Sequence, residues 1–303
     1  MTVIISSYQS INYLPKCLEH LKQQSYRNYE IIVIDAGSTD GSAEFIETNY
    51  PEVRLIRCGP IGLGEAINIG IRHASGQVIV FDLNTDEYVD RDWIVELLQM
   101  LERFNFKIIA GTTRIIQGTN LIDEAGVDLN LFGQARKIGQ KKDINSFQFP
   151  NRPVTFTGCP AFHRDLLEKI GMVDEEYFIY AEDLDFCHRA RSVGIETRCA
   201  SKAISHHHIR GTMGANPRRL EYFLRRSNLR FHLIHSKPHR IILNWLYIVC
   251  FLIISAYILS ICSGKKASLY REKCNGRIEA VLWNLKNLNQ SLAMRKSYSK
   301  SYI

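Results

Sequence analysis

Acidic residues are nearly missing from the back of this 303-residue chain. From residue 201 onward there are 3, all Glu, against 18 Lys and Arg, whereas residues 1–200 hold 28 Asp and Glu against 20 Lys and Arg. An acidic front does not suit nucleic-acid binding, and a basic tail suits the anionic face of a membrane, with a soluble basic tail as the plainer alternative. No C-x-x-C pair occurs among the eight cysteines (Cys17, Cys58, Cys159, Cys187, Cys199, Cys250, Cys262, Cys274). A zinc knuckle and a disulfide framework both lose support, and the thiols read as small hydrophobes in a reducing compartment. There is no G-x-x-x-x-G-K-[ST], and no G-x-G-x-x-G after the first apolar run, which argues against kinase-like and dehydrogenase chemistry. The first residues lack a basic n-region and are too short for a signal peptide, so the front of the chain is expected in the cytoplasm. No internal repeat stands out.

What is present is a 46% hydrophobic chain with ample material for a core. Short apolar runs alternate with helical periodicity: Thr2–Ser7, a helix near Ile11–Gln24, Glu30–Asp35, a helix near Ser42–Tyr50, then Val53–Cys58. A helix near Leu63–Ala74, a strand Gln77–Leu83 and a helix opening near Asp92 follow. This order predicts an α/β fold with a mostly parallel, Rossmann-like sheet covered by helices on both faces, binding ligands at the carboxyl ends of its strands. Beyond residue 106 the pattern turns mixed: strand-like Phe106–Ile116, a loop-rich stretch to about Pro153, and strand-like Val154–His163. One long apolar run, Ile241–Cys262, carries no charge and has the length of a bilayer span. Basic residues flank both ends, so one span, an in-plane or re-entrant helix, and a buried core helix all stay open. We expect a catalytic domain over 1–235 and a membrane-associated helix with a basic tail over 236–303.

Four clusters could carry chemistry. Asp35 ends an apolar strand and runs into Ala36-Gly37-Ser38-Thr39-Asp40-Gly41-Ser42. A carboxylate at a strand tip can take hydrogen bonds from a base or ribose, and an Asp-Gly turn capping the next helix is the structural alternative. Asp82-Leu83-Asn84-Thr85-Asp86-Glu87 ends another strand; Asn84 and Asp86, two residues apart, could approach a divalent cation bridging diphosphate oxygens, or could simply be solvated. Glu182-Asp183-Leu184-Asp185 opens a helix, where carboxylates either complement the dipole or, in the case of Asp183, serve as a general base. Asp185 and Arg189 stand at i and i+4 as a supporting ion pair. His206-His207-His208 ends a strand-like segment, with His206 and His208 on one face, able to reach a metal or phosphate or to stand as surface histidines.

Taken in order, TVIISSYQS, Cys17–Ser42, Gly62–Gly76, Leu83–Trp93, Gly158–Gly194 and Arg226–His235 resemble the family-2 glycosyltransferases, especially the rhamnosyltransferase-like branch that builds bacterial surface polysaccharides. The resemblance implies a GT-A fold and an inverting sugar transfer from a nucleotide-diphosphate sugar. It implies Ser7, Tyr8, Asp35, Asn68 and Arg72 around the base, ribose and diphosphate, Asn84-Thr85-Asp86 in the place of the D-x-D or N-x-D motif, and Asp183 as catalytic base. A cation, Mg2+ or Mn2+, would be held by Asp86 and by a histidine, His206 first and His208 second. Thr85 stands where relatives often have Pro, Glu87 where they often have Thr, and Gln9 where Asn is frequent; Glu87 could add a second carboxylate near the cation. The acceptor implied is a saccharide on a polyprenyl diphosphate lipid at the cytoplasmic face of the membrane. A nucleotidyltransferase and a non-catalytic nucleotide-sugar-binding scaffold are the competing classes; the first would ordinarily need a Gly-rich, basic first loop that is absent here.

Overall fold

The structure, a computed structural model, describes residues 1–208, 216–262 and 264–301. Two compact units divide them: Met1–Asp128, Arg136–Phe178 and the described part of Glu182–Thr212 form the first, and Leu129–Ala135, Ile179–Ala181 and the described part of Met213–Ile303 the second.

The first unit begins with β1 (Thr2–Ser7), α1 (Leu14–Lys22), β2 (Glu30–Asp35), α2 (Ser42–Asn49), β3 (Arg54–Arg57), α3 (Leu63–His73), β4 (Val78–Asn84), β5 (Glu87–Val89) and α4 (Trp93–Arg103). There follow β6 (Ile108–Ile116), β7 (Ile122–Glu124), β8 (Val127–Leu129), β9 (Ala135–Lys137), β10 (Ala161–His163), α5 (Leu166–Ile170), α6 (Glu182–Ser192) and β11 (Glu196–His207). The main sheet runs β3-β2-β1-β4-β10-β6-β11-β5, with β7 on β6. Its first half, β3 to β4, is parallel as expected. Its second half is mixed: β10 runs antiparallel to both β4 and β6, β11 is parallel to β6, and β5 is antiparallel to β11. Most of Val154–His163 stays irregular, with a strand only at Ala161–His163.

The strands read as unbroken apolar runs because both faces are covered. Val3, Ile5, Val33 and Val80 pack with Leu14, Leu18 and Leu21 of α1 and Trp93 and Leu97 of α4. Ile4, Ile32, Ile34, Ile79 and Phe81 pack on the other side with Ile67 and Ile71 of α3 and Phe186 of α6. Each such buried Leu, Ile or Phe contributes about 1.5–3 kcal/mol. Two βα connections therefore point their loops the same way, and the carboxyl ends of β1, β2 and β4 form one edge. β4 carries an extra residue relative to β1: Val3 pairs with Val80 but Ile5 with Leu83. Asp82 sits in that bulge with φ +62, and a bulge of this kind re-aims the strand end.

In the second unit α7 (Pro217–His235), α8 (Pro238–Leu246), a π-helical stretch Tyr247–Ile253, α9 (Ile254–Cys262), α10 (Ala267–Lys286) and α11 (Leu288–Ser301) follow one another. The apolar run is helical from Pro238 to Ile261, with mean hydropathy 2.3, long and apolar enough to associate with a membrane. α7 lies along α10, joined by a buried ion pair in which Arg277 Nε and Nη2 each reach the Glu221 carboxylate at 2.8 Å. That pair places α7 with the C-terminal helices, earlier than the boundary expected at residue 235.

Candidate active site

The edge formed by β1, β2 and β4 brings the first cluster together. Ser7 is opposite Asp35 and Ser6 opposite Asn84 in the parallel register, so Asp35 and Asn84 flank β1 from either side, about 10 Å apart at two strand spacings. Ser7 is buried and its hydroxyl lies 2.6 Å from that of Ser10. Tyr8, just past the strand, is 50% exposed. Gln9 bridges the two loops: its Nε2 donates to Thr39 Oγ1 at 3.0 Å and its Oε1 accepts from Thr39 N–H at 3.2 Å.

Two acids on the β2–α2 turn separate by role. Asp40 caps: Oδ1 accepts from the Ser42 amide at 3.1 Å and Oδ2 from the Ile11 amide at 2.9 Å. Asp35 is 3% exposed; its Oδ2 accepts from the Ser38 amide at 3.0 Å, and its buried Oδ1 has no hydrogen-bond partner among the described residues. A buried carboxylate oxygen left without a donor is costly in the empty protein and is well suited to a ligand N–H or O–H. Gly37 permits this turn: it adopts φ +82, and a Cβ there would meet Pro60 N at 3.2 Å.

Glu87 is held in a buried ion pair. Arg114 Nε donates to Glu87 Oε2 at 3.0 Å, Arg114 Nη2 lies 2.8 Å from Oε1, and Ser205 Oγ donates to Oε2 at 2.9 Å, all within the sheet. Sequence reasoning passed over Arg114, although a lone cation inside the apolar stretch Ile108–Ile116 signals a buried acidic partner. Arg114 Nη2 also donates to the Asp82 carbonyl at 3.3 Å, so the guanidinium braces the bulge before Asn84 and Asp86.

Around this guanidinium the acids Asp82, Glu124, Glu182 and Asp183 share one field. Burial pushes Asp82 well above the usual carboxylate range against the pull of Arg114, and the Asp183 charge adds to the rise. Burial, then the Asp183 and Asp82 charges, raise Glu182 likewise, and its buried Oε2 has no partner among the described residues. Asp183, in the first turn of α6, is pushed up to about 7 by burial and by the Glu124 charge, against the Leu184 amide that donates to its Oδ1 at 2.7 Å. A carboxylate poised near neutrality is tuned for proton transfer. The backbone before it is strained, with Tyr180 at φ +67 and Ala181 at φ +66. Behind it Arg189 Nε donates to Asp185 Oδ2 at 2.7 Å, the ion pair that the i, i+4 spacing foretold. Gly62, at the head of α3, lets the loop before α6 close in, since a Cβ there would meet the Phe178 ring at 2.8 Å. Glu124 was not singled out from the sequence; its signal, an acid flanked by short apolar stretches, is faint.

Other predicted residues fall elsewhere. Asn68 is buried with its amide spent on structure: Nδ2 donates to Val173 O and Glu175 Oε1 at 2.9 Å and Oδ1 accepts from Val173 N–H at 3.0 Å. Arg72 lies in the last turn of α3, and a crossover helix returning to the start of β4 ends at the amino edge of the sheet, away from Asp35 and Asn84. There it sits 4.0 Å from Glu175. The imidazole of His206 is committed to Asp90, at 2.8 Å, and stacks on Tyr88 at 4.5 Å. His207 lies 3.0 Å from Asp123, which raises the imidazole against the opposing effect of its burial. His208 is exposed; its amide donates to the Asp86 carbonyl at 2.9 Å and its ring lies 5.2 Å from Tyr13.

No group of three or more His, Cys, Asp or Glu able to hold a metal is found among the described residues. The donors present, the Asp86 carboxylate and the neighbouring Asn84 amide, fit a hard cation that takes most of its ligands from diphosphate and water.

A sequence model of glycosyl transferase family 2 matches residues 2–171. Among curated relatives, the glycosyltransferases GlyA and GlyG of Streptococcus pneumoniae are 33% and 30% identical over 115 residues, or 37% of this chain. The matches span 16% and 38% of those proteins' lengths. An uncharacterized glycosyltransferase of Nostoc is 29% identical over 184 residues, covering 57% of this chain and 54% of the relative. Among solved structures, S. aureus TarS 1–349 superposes over 99% of this chain and 88% of its own, at TM-score 0.54 and 16% identity. GalNAc-T7 with UDP, GalNAc and Mn2+ superposes over 94% of this chain and 57% of its own, at TM-score 0.62 and 14% identity. At those identities the structures speak for the fold, which is GT-A-like. The family match runs from β1 to the end of α5, through the strand ends that carry Asp35, Asn84 and Asp86, and on it the chain belongs to glycosyl transferase family 2.

Proposed function

We propose that this protein is an inverting glycosyltransferase that moves a sugar from a nucleotide-diphosphate donor to a saccharide or lipid-linked acceptor, in the building of a bacterial surface polysaccharide. The observation that carries the reading is the strand edge that holds Asp35, with its buried Oδ1 left without a partner among the described residues, across β1 from Asn84, inside the family match. Asp183, pushed up to about 7, shares a field with Asp82, the bulge residue that leads into Asn84 and Asp86. Asp35 Oδ1 accepts from the base or ribose, and Ser7 and Tyr8 border the same edge. The acceptor hydroxyl attacks the anomeric carbon as the bond to the diphosphate oxygen breaks, and its proton passes to Asp183. One displacement inverts the anomeric centre. Asp86 with Asn84, and His208 in preference to His206, would hold Mg2+ or Mn2+, which when bound offsets the charge growing on the leaving diphosphate.

The rhamnosyltransferase-like branch is supported by the order of the motifs, and a cytoplasmic membrane location by the apolar helix and its basic flanks. Screening purified protein against a panel of nucleotide sugars with Mg2+ or Mn2+, reading free nucleoside diphosphate, tests the reading. Asp183→Asn should lose roughly 10²–10⁴-fold in turnover while keeping donor affinity. Near-normal turnover in that variant would remove Asp183 from the chemistry, and donor binding without transfer by the wild type would favour the non-catalytic scaffold.

A further inference from the structure

The apolar helix of the C-terminal unit is built inside out. Between Pro238 and Ile261 the side chains packed inward include Asn244, Ala256 and Ser260, small or polar, beside Ile248. Those facing outward are large: Ile242, Leu246, Phe251, Ile254, Tyr257 and Ile261 are 50–66% exposed. The inward set recurs every fourth or eighth residue, one helical face, and the outward set takes the other. Exposed Ile278, Leu282 and Leu285 on α10, at i, i+4 and i+7, add a second apolar stripe. Soluble monomers rarely expose this much large apolar side chain, and its natural surroundings are lipid.

Two features choose between crossing the bilayer and lying in it. Leu252 sits about 21 Å along the helix from Pro238, near its middle. Its carbonyl accepts from Arg277 Nη1 at 2.7 Å, and Arg277 is the buried partner of Glu221 on α7. Arg225 reaches the same carboxylate at 3.2 Å. A spanning orientation would carry this charged cluster, and α7 with it, to the centre of the hydrocarbon, where ionised groups are most costly. In the plane of the membrane the cluster stays on the watery side. The second feature is the flanks: Lys237 and Arg240 at the start of the helix and Lys266 and Arg271 after it are all exposed. A span would send one set across the membrane, whereas an in-plane helix keeps both in one headgroup layer. The excess of 18 Lys and Arg over 3 Glu from residue 201 onward complements anionic lipid.

We propose that the outward face of residues 238–261, together with the α10 stripe, docks in the plane of one leaflet of a membrane bearing anionic headgroups, and that the helix does not span it. This rests on the reading that the protein works at a membrane surface. In flotation, the full chain should rise with vesicles containing phosphatidylglycerol, more weakly with pure phosphatidylcholine, and less as salt is raised. Phe251→Asp with Ile254→Asp should abolish flotation while leaving circular dichroism unchanged. Single cysteines placed by His239→Cys and Ser268→Cys should both be labelled by a membrane-impermeant maleimide in inverted vesicles, and neither in right-side-out spheroplasts, above the wild-type background. Labelling of the two ends from opposite sides would overturn the in-plane arrangement while leaving membrane residence intact. Failure to float with either vesicle would overturn the docking itself, and dimers split by the same Asp variants would assign the face to a second copy of the chain. Nucleoside diphosphate release with a soluble acceptor, read in parallel, keeps either failure separate from failure of the sugar-transfer reading.

Discussion

Glu87 and Arg114, 27 residues apart, form a buried two-point ion pair, with Nε to Oε2 at 3.0 Å and Nη2 to Oε1 at 2.8 Å. The pair locks the turn that bears Asn84 and Asp86 to the middle of the sheet. Arg114→Met leaves Glu87 buried without its cation, with the Ser205 hydroxyl and the Asn84 amide still donating to it, which should cost about 3–5 kcal/mol. Thermal unfolding will show this as a lowered Tm. Adding Glu87→Met should restore much of the loss, since an apolar pair of similar volume replaces an ionic one. A double variant no more stable than Arg114→Met alone would contradict the pairing as the cause.

Asp35 Oδ1 should be a donor contact because it is buried without a partner of its own. A hydrogen bond to a charged group is worth about 1.5–3 kcal/mol, so Asp35→Ala should weaken nucleoside diphosphate binding roughly 10- to 150-fold. Arg72→Ala, at the opposite edge of the sheet, should leave that affinity unchanged. Calorimetric titration of both variants decides the matter.

The pH profile should report Asp183. In the proposed role its ionised form takes the proton, so kcat/KM should rise with pH through an acidic limb governed by this carboxyl, pushed up to about 7. Because the Glu124 charge contributes to that rise, Glu124→Gln should move the limb to lower pH. An unmoved limb would show that Glu124 does not act on the base.

Stability should run the other way. A carboxyl whose folded value lies above its unfolded one leaves the folded chain holding extra protons between about pH 4 and 7, so ionising it destabilises the fold as pH rises through that window. Asp183→Asn should therefore raise Tm at pH 8 and leave it nearly unchanged at pH 4.

The cation response should follow Asp86. Asp86→Asn should abolish stimulation by Mn2+, whereas His206→Ala should retain it because His206 is occupied by Asp90. Turnover measured across a Mn2+ series separates the two.

Local chemistry alone settled the strands and helices that make up the parallel half of the sheet, the tip position of Asp35, the start of α6 at Asp183 and the Asp185–Arg189 pair. Each depends on strand period, turn residues or helical spacing within about ten residues, and such signals survive in one dimension. Folding decided the rest. Arg72 follows a legible helix, yet only the return of that helix to the amino edge moves it away from the strand tips. The three histidines share one strand end, and their separate commitments come from distant residues: Asp90 for His206, Asp123 for His207 and the Asp86 backbone for His208. Glu87 resembles a cation ligand until β6 brings Arg114 against it, and the Asp183 carboxyl is pushed up to about 7 only where burial and Glu124, 59 residues earlier, act on it. Burial and charge add up over space, so they become fixed only when the chain has closed on itself.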